Sequence, residues 1–242
     1  PWNDIGSAGF ASCPTWTFTT MADPNIITTF PWTDGFETGN TDQTAIAGWT
    51  QESVTWVPDV WTANSSQTDY NRAPRSGSWN ACLRWGNTDW MFKPFVFEAG
   101  VAYEASLFAR QDGANAAKAS IAIAYGTEAT AAGMTNSILP ATGIINGDYQ
   151  YLNGEFTVPT TGTYFVGILG NITTGSWYIS LDDIKVDLAP EAIFNISPNV
   201  ASFNFGNFPV GAFAQQVFTI SNTGGADLTL SSIGIDPAGT DF

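Results

Sequence analysis

The chain has 242 residues, 22 acidic against 7 basic side chains, a formal net charge of −15 and no histidine. Without clustered Lys and Arg, nucleic acid is a poor partner. Without histidine, His-based triads and the commonest zinc ligand are gone. Hydrophobic residues make up 44%, aromatics 14% and charged residues only 12%, with 24 Gly and 13 Pro. That mix predicts a substantial core built from many short strands and tight turns. No stretch approaches the ~18 apolar residues of a membrane-spanning helix, so no membrane insertion is expected. The opening Pro1-Trp2-Asn3-Asp4 shows neither the basic nor the apolar region of a signal peptide, and the chain reads as a processed or internal piece.

The elements follow in chain order. Residues 15–20 alternate strictly (Thr15, Trp16, Thr17, Phe18, Thr19, Thr20) and predict a strand that Ala22-Asp23-Pro24 ends. One strand cannot bury its own face, so this piece is expected to close a preceding domain or to be lent to another one. From residue 28 a new sandwich is predicted, with a turn at Asp34-Gly35 and further strands at 48–51 and 55–57. Residues 59–75 are polar and predict a long surface loop. Residues 76–97 hold Trp79, Trp85, Trp90 and Cys82, and read as a hairpin around Gly86-Asn87 at the centre of the sandwich. Residues 101–110 alternate, with Val101, Tyr103, Ala105, Leu107 and Ala109 on one face, and residues 119–125 do the same.

Residues 128–137 predict the one short helix, weakened by Gly133. Strands follow at 149–158 and 164–168, then a last strand over 177–186. There Trp177, Ile179 and Leu181 share a face while Ile184 and Val186 fall out of phase, which predicts a bulge at Asp182-Asp183. Trp79, Trp85 and Trp177 are assigned to the core, as aromatics in strands usually are. Ala189-Pro190-Glu191 reads as a linker, and from residue 193 short strands recur with turns at Gly206-Asn207, Gly211 and residues 222–225. Cys13 and Cys82 follow no metal spacing and fall in different predicted units, which argues against their pairing.

Three resemblances organise this pattern. Residues 15–20 resemble the last strand of a fibronectin type III-like domain. The middle of the chain resembles the choice-of-anchor J, or cleaved-adhesin, family of MAM-like jelly rolls in large secreted bacterial proteins. The motifs are residues 36–39 (FETG), 75–84 (RSGSWNACLR), 89–95 (DWMFKPF), 109–113 (ARQDG), 143–150 (GIINGDYQ), 164–170 (YFVGILG) and 177–184 (WYISLDDI). Residues 203–206, 209–211 and 218–224 resemble the opening half of a Hydin-like, or choice-of-anchor D, immunoglobulin-like module. The expected class is all-β: a jelly roll over 24–189, the end of one β-domain over 1–23 and the N-terminal half of another over 190–242.

The jelly-roll resemblance implies that the first and last strands lie side by side and share a structural Ca²⁺. Glu37 and Asp42 would then approach Asp182 and Asp183, supplying hard oxygen ligands. Trp56, Trp61 and Trp90, with Arg72 and Arg75 as polar partners beside Asp69 and Asn87, are the candidates for stacking on a sugar. Glu52 with Asp59, or Glu104 with Glu155, are the only carboxylate pairs worth weighing for hydrolysis, and nothing in their spacing argues for it. The chain is therefore not expected to be an enzyme.

The expected role is adhesion or structure in a secreted or cell-surface protein, binding a surface, a glycan or a sister subunit. The alternative is a carbohydrate-binding accessory module of a secreted hydrolase. Strand addition of residues 15–20 to the C-terminal sandwich of another copy is a further expectation.

Overall fold

The computed structural model describes residues 25–54, 60–113, 118–144, 147–172, 175–200 and 203–233. The predicted strand at 15–20, Cys13, Trp56 and Asp59 lie outside the described residues. The strands are β1 (Trp32–Asp34), β2 (Thr50–Ser53), β3 (Thr62–Asn64), β4 (Asn80–Arg84), β5 (Asn87–Phe97), β6 (Tyr103–Gln111) and β7 (Ala119–Gly126), followed by β8 (Asn136–Ile144), β9 (Gln150–Phe156), β10 (Gly162–Ile172), β11 (Tyr178–Leu188), β12 (Phe194–Ser197) and β13 (Thr219–Asn222).

Two antiparallel sheets face each other. The first runs β2-β5-β10-β7-β8; the second runs β3-β4-β11-β6-β9, with β1 also pairing β11. Between them sits one apolar core, fed by alternate residues as period-two strands require: Tyr103, Ala105, Leu107 and Ala109 from β6, Tyr164, Val166 and Ile168 from β10, and Ile179, Leu181, Ile184 and Val186 from β11. The expected bulge is present. The pairing of β11 with β6 shifts between Asp182 and Lys185, and Asp183 takes a φ of 49°. That extra residue returns Ile184 and Val186 to the core face. First and last strands do lie side by side, with Trp32 opposite Val186 and Asp34 opposite Ile184.

Three expectations are corrected. The segments around Gly86 do not pair with each other: β4 pairs β3 and β11, whereas β5 pairs β2 and β10. Trp85-Gly86 is therefore a crossing between sheets, because the large apolar side chains of both segments need opposite walls of the same core. Residues 128–137 form no helix beyond a 3-10 turn at Ala131–Gly133, and β8 begins at Asn136. The start of the predicted surface loop is interior: Trp61 is fully buried and donates its indole N–H to the Asp89 carbonyl at 3.1 Å. Trp61 fits because residue 170 is glycine; a Cβ there would meet the indole at 2.3 Å and Leu83 at 2.8 Å. Cys82 is a buried free thiol.

Among the described residues of the C-terminal segment, β12 and β13 form a two-stranded ladder from Phe194–Asn222 to Ser197–Thr219. No helix among the described residues is long and apolar enough to cross a membrane.

Candidate functional site

At one end of the sandwich two connections meet. Trp85 N–H donates to the Trp177 carbonyl at 2.7 Å, and Gly86 N–H donates to the Ile172 carbonyl at 2.7 Å. Gly86 supplies the φ of 91° that this crossing needs. Trp177 stands one residue before β11, outside the ladder that would have set its phase. Its N–H and that of Tyr178 both donate to one Asp112 carboxylate oxygen, at 2.5 and 2.9 Å. Asp112 follows β6 directly and is itself buried, so the last strand is anchored at its first residue by a fixed charge.

A third connection brings Tyr70. It lies in the 3-10 turn Asp69–Asn71 with φ 57° and ψ 41°, and Asn71 follows at φ 56°. Asn tolerates the left-handed region, but a bulky aromatic residue occupies it only when its surroundings hold it there. The hold comes from Asn71, which donates its amide to the Gln111 carbonyl at 3.1 Å, while Ser180 donates its hydroxyl to the Asn71 carbonyl at 2.9 Å. Arg72 lies buried beneath, its guanidinium 4.2 Å from the Tyr178 ring centroid and 6.0 Å from that of Tyr70.

The result is a file of aromatic rings open to solvent: Tyr70, Trp177 and Trp85 are 53%, 51% and 45% exposed. Ring centroids are 6.1 Å apart from Tyr70 to Trp177 and 5.9 Å from Trp177 to Trp85, with interplanar angles of 51° and 60°. The rings are neighbours but not coplanar. Three large side chains, carried on backbone that hydrogen bonds hold in place and left half in water, form an exposed aromatic surface.

The predicted ligand-binding residues are distributed differently. Trp61 is in the core. Trp90 is 9% exposed, stacked on Phe92 at 5.7 Å on the outer face of the first sheet, where Ala129, Ala131 and Met134 cover it. Arg72 supports the ring file from below. Arg75 sits over the Phe108 ring and is ion-paired to Asp183. Asn87 is buried and donates to the Arg84 carbonyl at 2.9 Å. Beyond the covering segment, a groove of about 400 Å³ opens between Trp49, Thr50, Pro94, Thr163 and Phe165.

Of the four predicted metal ligands, three are brought to one corner. Asp182, fully buried, accepts from the N–H groups of Arg75 and Ser76 at 2.7 and 3.1 Å. Asp183 accepts from the Arg75 guanidinium and the Ser76 hydroxyl at 2.5 and 2.6 Å. Glu37 accepts from the N–H groups of Ser78 and Trp79 at 2.9 and 3.0 Å. Gly35 lies over this corner; a Cβ there would stand 3.5 Å from an Asp183 oxygen and 3.9 Å from an Asp182 oxygen. Burial pushes the Asp182 carboxyl up to about 6. Asp42 is elsewhere, holding residues 65–66 through both backbone N–H groups and both Ser hydroxyls. The corner is chemically suited to a hard cation, with oxygen donors only. As the side chains stand, however, no three acidic, His or Cys groups among the described residues converge on one point, and Arg75 supplies the positive charge.

Glu104 and Glu155 face each other across β6 and β9. Glu104 accepts from Tyr151 and Asn153 on the exposed surface, and Glu52 accepts from the Ala131 N–H. Glu104 and Glu52 are thus each engaged in a structural hydrogen bond.

No protein-family model matches the chain, and no curated protein matches it. Among solved structures, the K1 cleaved adhesin domain of Lys-gingipain from Porphyromonas gingivalis superposes with a TM-score of 0.52 at 15% identity, covering 66% of this chain and 99% of that one. The K2 cleaved adhesin domain of the same protein gives 0.49 at 18% identity, covering 66% and 99%. A carbohydrate-binding module, TmCBM61, solved with β-1,4-galactotriose, gives 0.47 at 12% identity, covering 64% and 94%. The jelly roll expected from the residue motifs is thus the fold found, shared with the first of these domains.

Proposed function

We propose that this chain is a non-catalytic, extracellular binding module that holds a glycan against the ring file of Tyr70, Trp177 and Trp85. The observation that carries the reading is that these rings are exposed together, side by side, on backbone held by Asp112, Asn71 and the Trp85–Trp177 backbone bond. Half-exposed aromatics that nothing in the fold needs to bury mark a contact surface. Sugar rings present flat C–H faces to such surfaces while their hydroxyls stay with water and the polar rim. A fold shared with an adhesin domain is in keeping with display outside the cell.

Titration against a glycan panel, read by affinity electrophoresis, tests it. Wild type is expected to be retarded by at least one polysaccharide, and Trp177→Ala or Trp85→Ala to abolish that retardation without changing the melting temperature by more than a few degrees. Equal retardation of wild type and both variants would overturn the site, and no retardation by any glycan would overturn the function.

A structural Ca²⁺ belongs to the proposal only at the corner of Glu37, Asp182 and Asp183, where it would displace Arg75 from Asp183. Its support is the grouping of the buried Asp182 carboxyl, Asp183 and Glu37 around Gly35, all oxygen donors. Melting is expected several degrees higher in millimolar Ca²⁺ than in chelator; coincident curves would remove the ion.

A further inference from the structure

The inward face of the first sheet is apolar along most of its length and polar at one corner. On β5 the first two inward positions are Asn87 and Asp89. Beyond them come Met91, Phe95 and Phe97 of the core, with Lys93 reaching out between them to the Gly48 carbonyl at 2.7 Å. On β2, Gln51 stands opposite Met91 and Ser53 opposite Asp89, so their side chains share the inward face. Gly170 lies opposite Asp89 on β10, and the Trp61 ring occupies the space a side chain there would take. Two neighbouring strands thus carry four oxygen-bearing side chains to one inner corner, behind the Trp85-Gly86 crossing.

These side chains are costly where they stand. Asp89 is fully buried and Asn87 is 1% exposed. Asn87 donates Nδ2 to the Arg84 carbonyl at 2.9 Å, which fixes the orientation of its amide. Its Oδ1 is buried and has no hydrogen-bond partner among the described residues. The same is true of both amide atoms of Gln51. A buried polar group without a partner is destabilising, and an apolar side chain at either position would remove the penalty. Two such amides on either side of a buried carboxylate point to a ligand that meets oxygen. Water would satisfy the amide oxygens; a cation satisfies them and is drawn in addition by the Asp89 carboxylate beside them.

We infer that this inner corner binds one hard cation, Na⁺ or Ca²⁺, through Asn87 Oδ1, Gln51 Oε1 and the Asp89 carboxylate, with the Ser53 hydroxyl on the same face. The site is independent of the glycan reading. It is also distinct from the corner of Glu37, Asp182 and Asp183, which is built on β11 of the second sheet. Bound there, the ion ties β2 to the start of β5 and, through Asn87, to the crossing that carries Trp85. It also gives a reason for Gln51 to hold a position opposite Met91 that an apolar side chain would otherwise fill.

Thermal unfolding in choline chloride, in NaCl and in choline chloride with millimolar CaCl₂, all at one ionic strength, decides it. The wild-type midpoint is expected several degrees higher with Na⁺ or with Ca²⁺ than with choline, because an ion that binds only the folded chain stabilises it by mass action. The arm that shows the rise identifies the ion. Gln51→Met and Asp89→Asn should each remove at least half of the rise. In choline chloride Gln51→Met should melt at or above wild type, since an apolar side chain replaces a buried amide; its loss of the rise is then not a loss of fold. Coincident midpoints of wild type in the three salts overturn the site. So does a rise that Gln51→Met and Asp89→Asn leave intact, or one that only Asp183→Ala removes.

Discussion

Asp112 is the residue on which the ring file depends, and its removal has a calculable cost. One of its oxygens accepts from two backbone N–H groups, of Trp177 and Tyr178, at 2.5 and 2.9 Å. Hydrogen bonds to a charged acceptor contribute about 1.5–3 kcal/mol each. Water reaches the half-exposed Trp177 and recovers part of this, so Asp112→Ala is expected to cost about 2–4 kcal/mol in total. For a β-domain of this length that corresponds to a melting temperature lower by about 5–12 °C. Asp112→Asn keeps one acceptor oxygen but not the charge, and about half the loss is expected. The Asp112 N–H still donates to the Tyr178 carbonyl at 3.2 Å, so pairing of β6 with β11 persists and the effect is confined to the pose of residues 175–178. The assay is thermal unfolding followed by circular dichroism, paired with glycan titration of the same samples well below the transition. Asp112→Ala should bind at least tenfold more weakly with Trp177 intact. A variant that melts with wild type refutes the anchoring. One that melts lower but binds normally shows that Asp112 stabilises the strand without setting the ring.

Other consequences are open to test. The segment over Trp90 passes so close to β7 that a Cβ on Gly126 would meet the Gly133 carbonyl oxygen at 1.7 Å; Gly126→Ala should cost about 1–3 kcal/mol as an overpacked contact and render Trp90 quenchable by acrylamide, and unchanged quenching would count against the cover. Donation by Ser66 and Ser65 pulls the Asp42 carboxyl down from 3.8 to about 2. A group depressed in the folded state contributes stability above its unfolded value and loses it as pH falls through the folded one, so the urea midpoints of wild type and Asp42→Ala should converge as pH drops from about 4 towards 2; a gap constant with pH would contradict this. Burial pushes the Cys82 thiol up to about 12, so in a Cys13→Ser background it should resist alkylation at neutral pH until urea unfolds the protein, and rapid labelling of native protein would show the site to be open.

The architecture is legible because period-two alternation survives in the long strands: β6 and β10 carry an unbroken inward set, and in β11 the bulge at Asp182-Asp183 leaves its mark as a phase slip. What misled was local. Residues 76–97 look like a hairpin because a Gly-Asn turn between apolar runs carries no information on whether the runs face each other or opposite walls. β8 was hidden because Ala-rich residues 128–134 imitate a helix, when their small side chains serve to lie flat on Trp90 and Phe92. Strand neighbours point Trp85 and Trp177 to the core, yet each falls one residue outside its strand, where alternation no longer dictates a side. Gly86 and Gly175-Ser176 beside them were the available signal. Tyr70 had none, since its left-handed backbone is imposed by contacts with Gln111 and Ser180, far away in sequence. The predicted metal ligands Glu37, Asp182 and Asp183 share one corner because β1 pairs β11; Asp42 lies past a further turn and is used by the loop it caps.

The most direct measurement is a two-dimensional ¹H–¹⁵N spectrum of the indole N–H groups during titration with a bound oligosaccharide, with each indole assigned by Trp→Phe substitution. The Trp85 and Trp177 resonances should move together along one saturating curve while those of Trp61 and Trp90 stay in place. Shifts confined to Trp49, beside the groove on the first sheet, or no indole shift on saturation, would contradict the account.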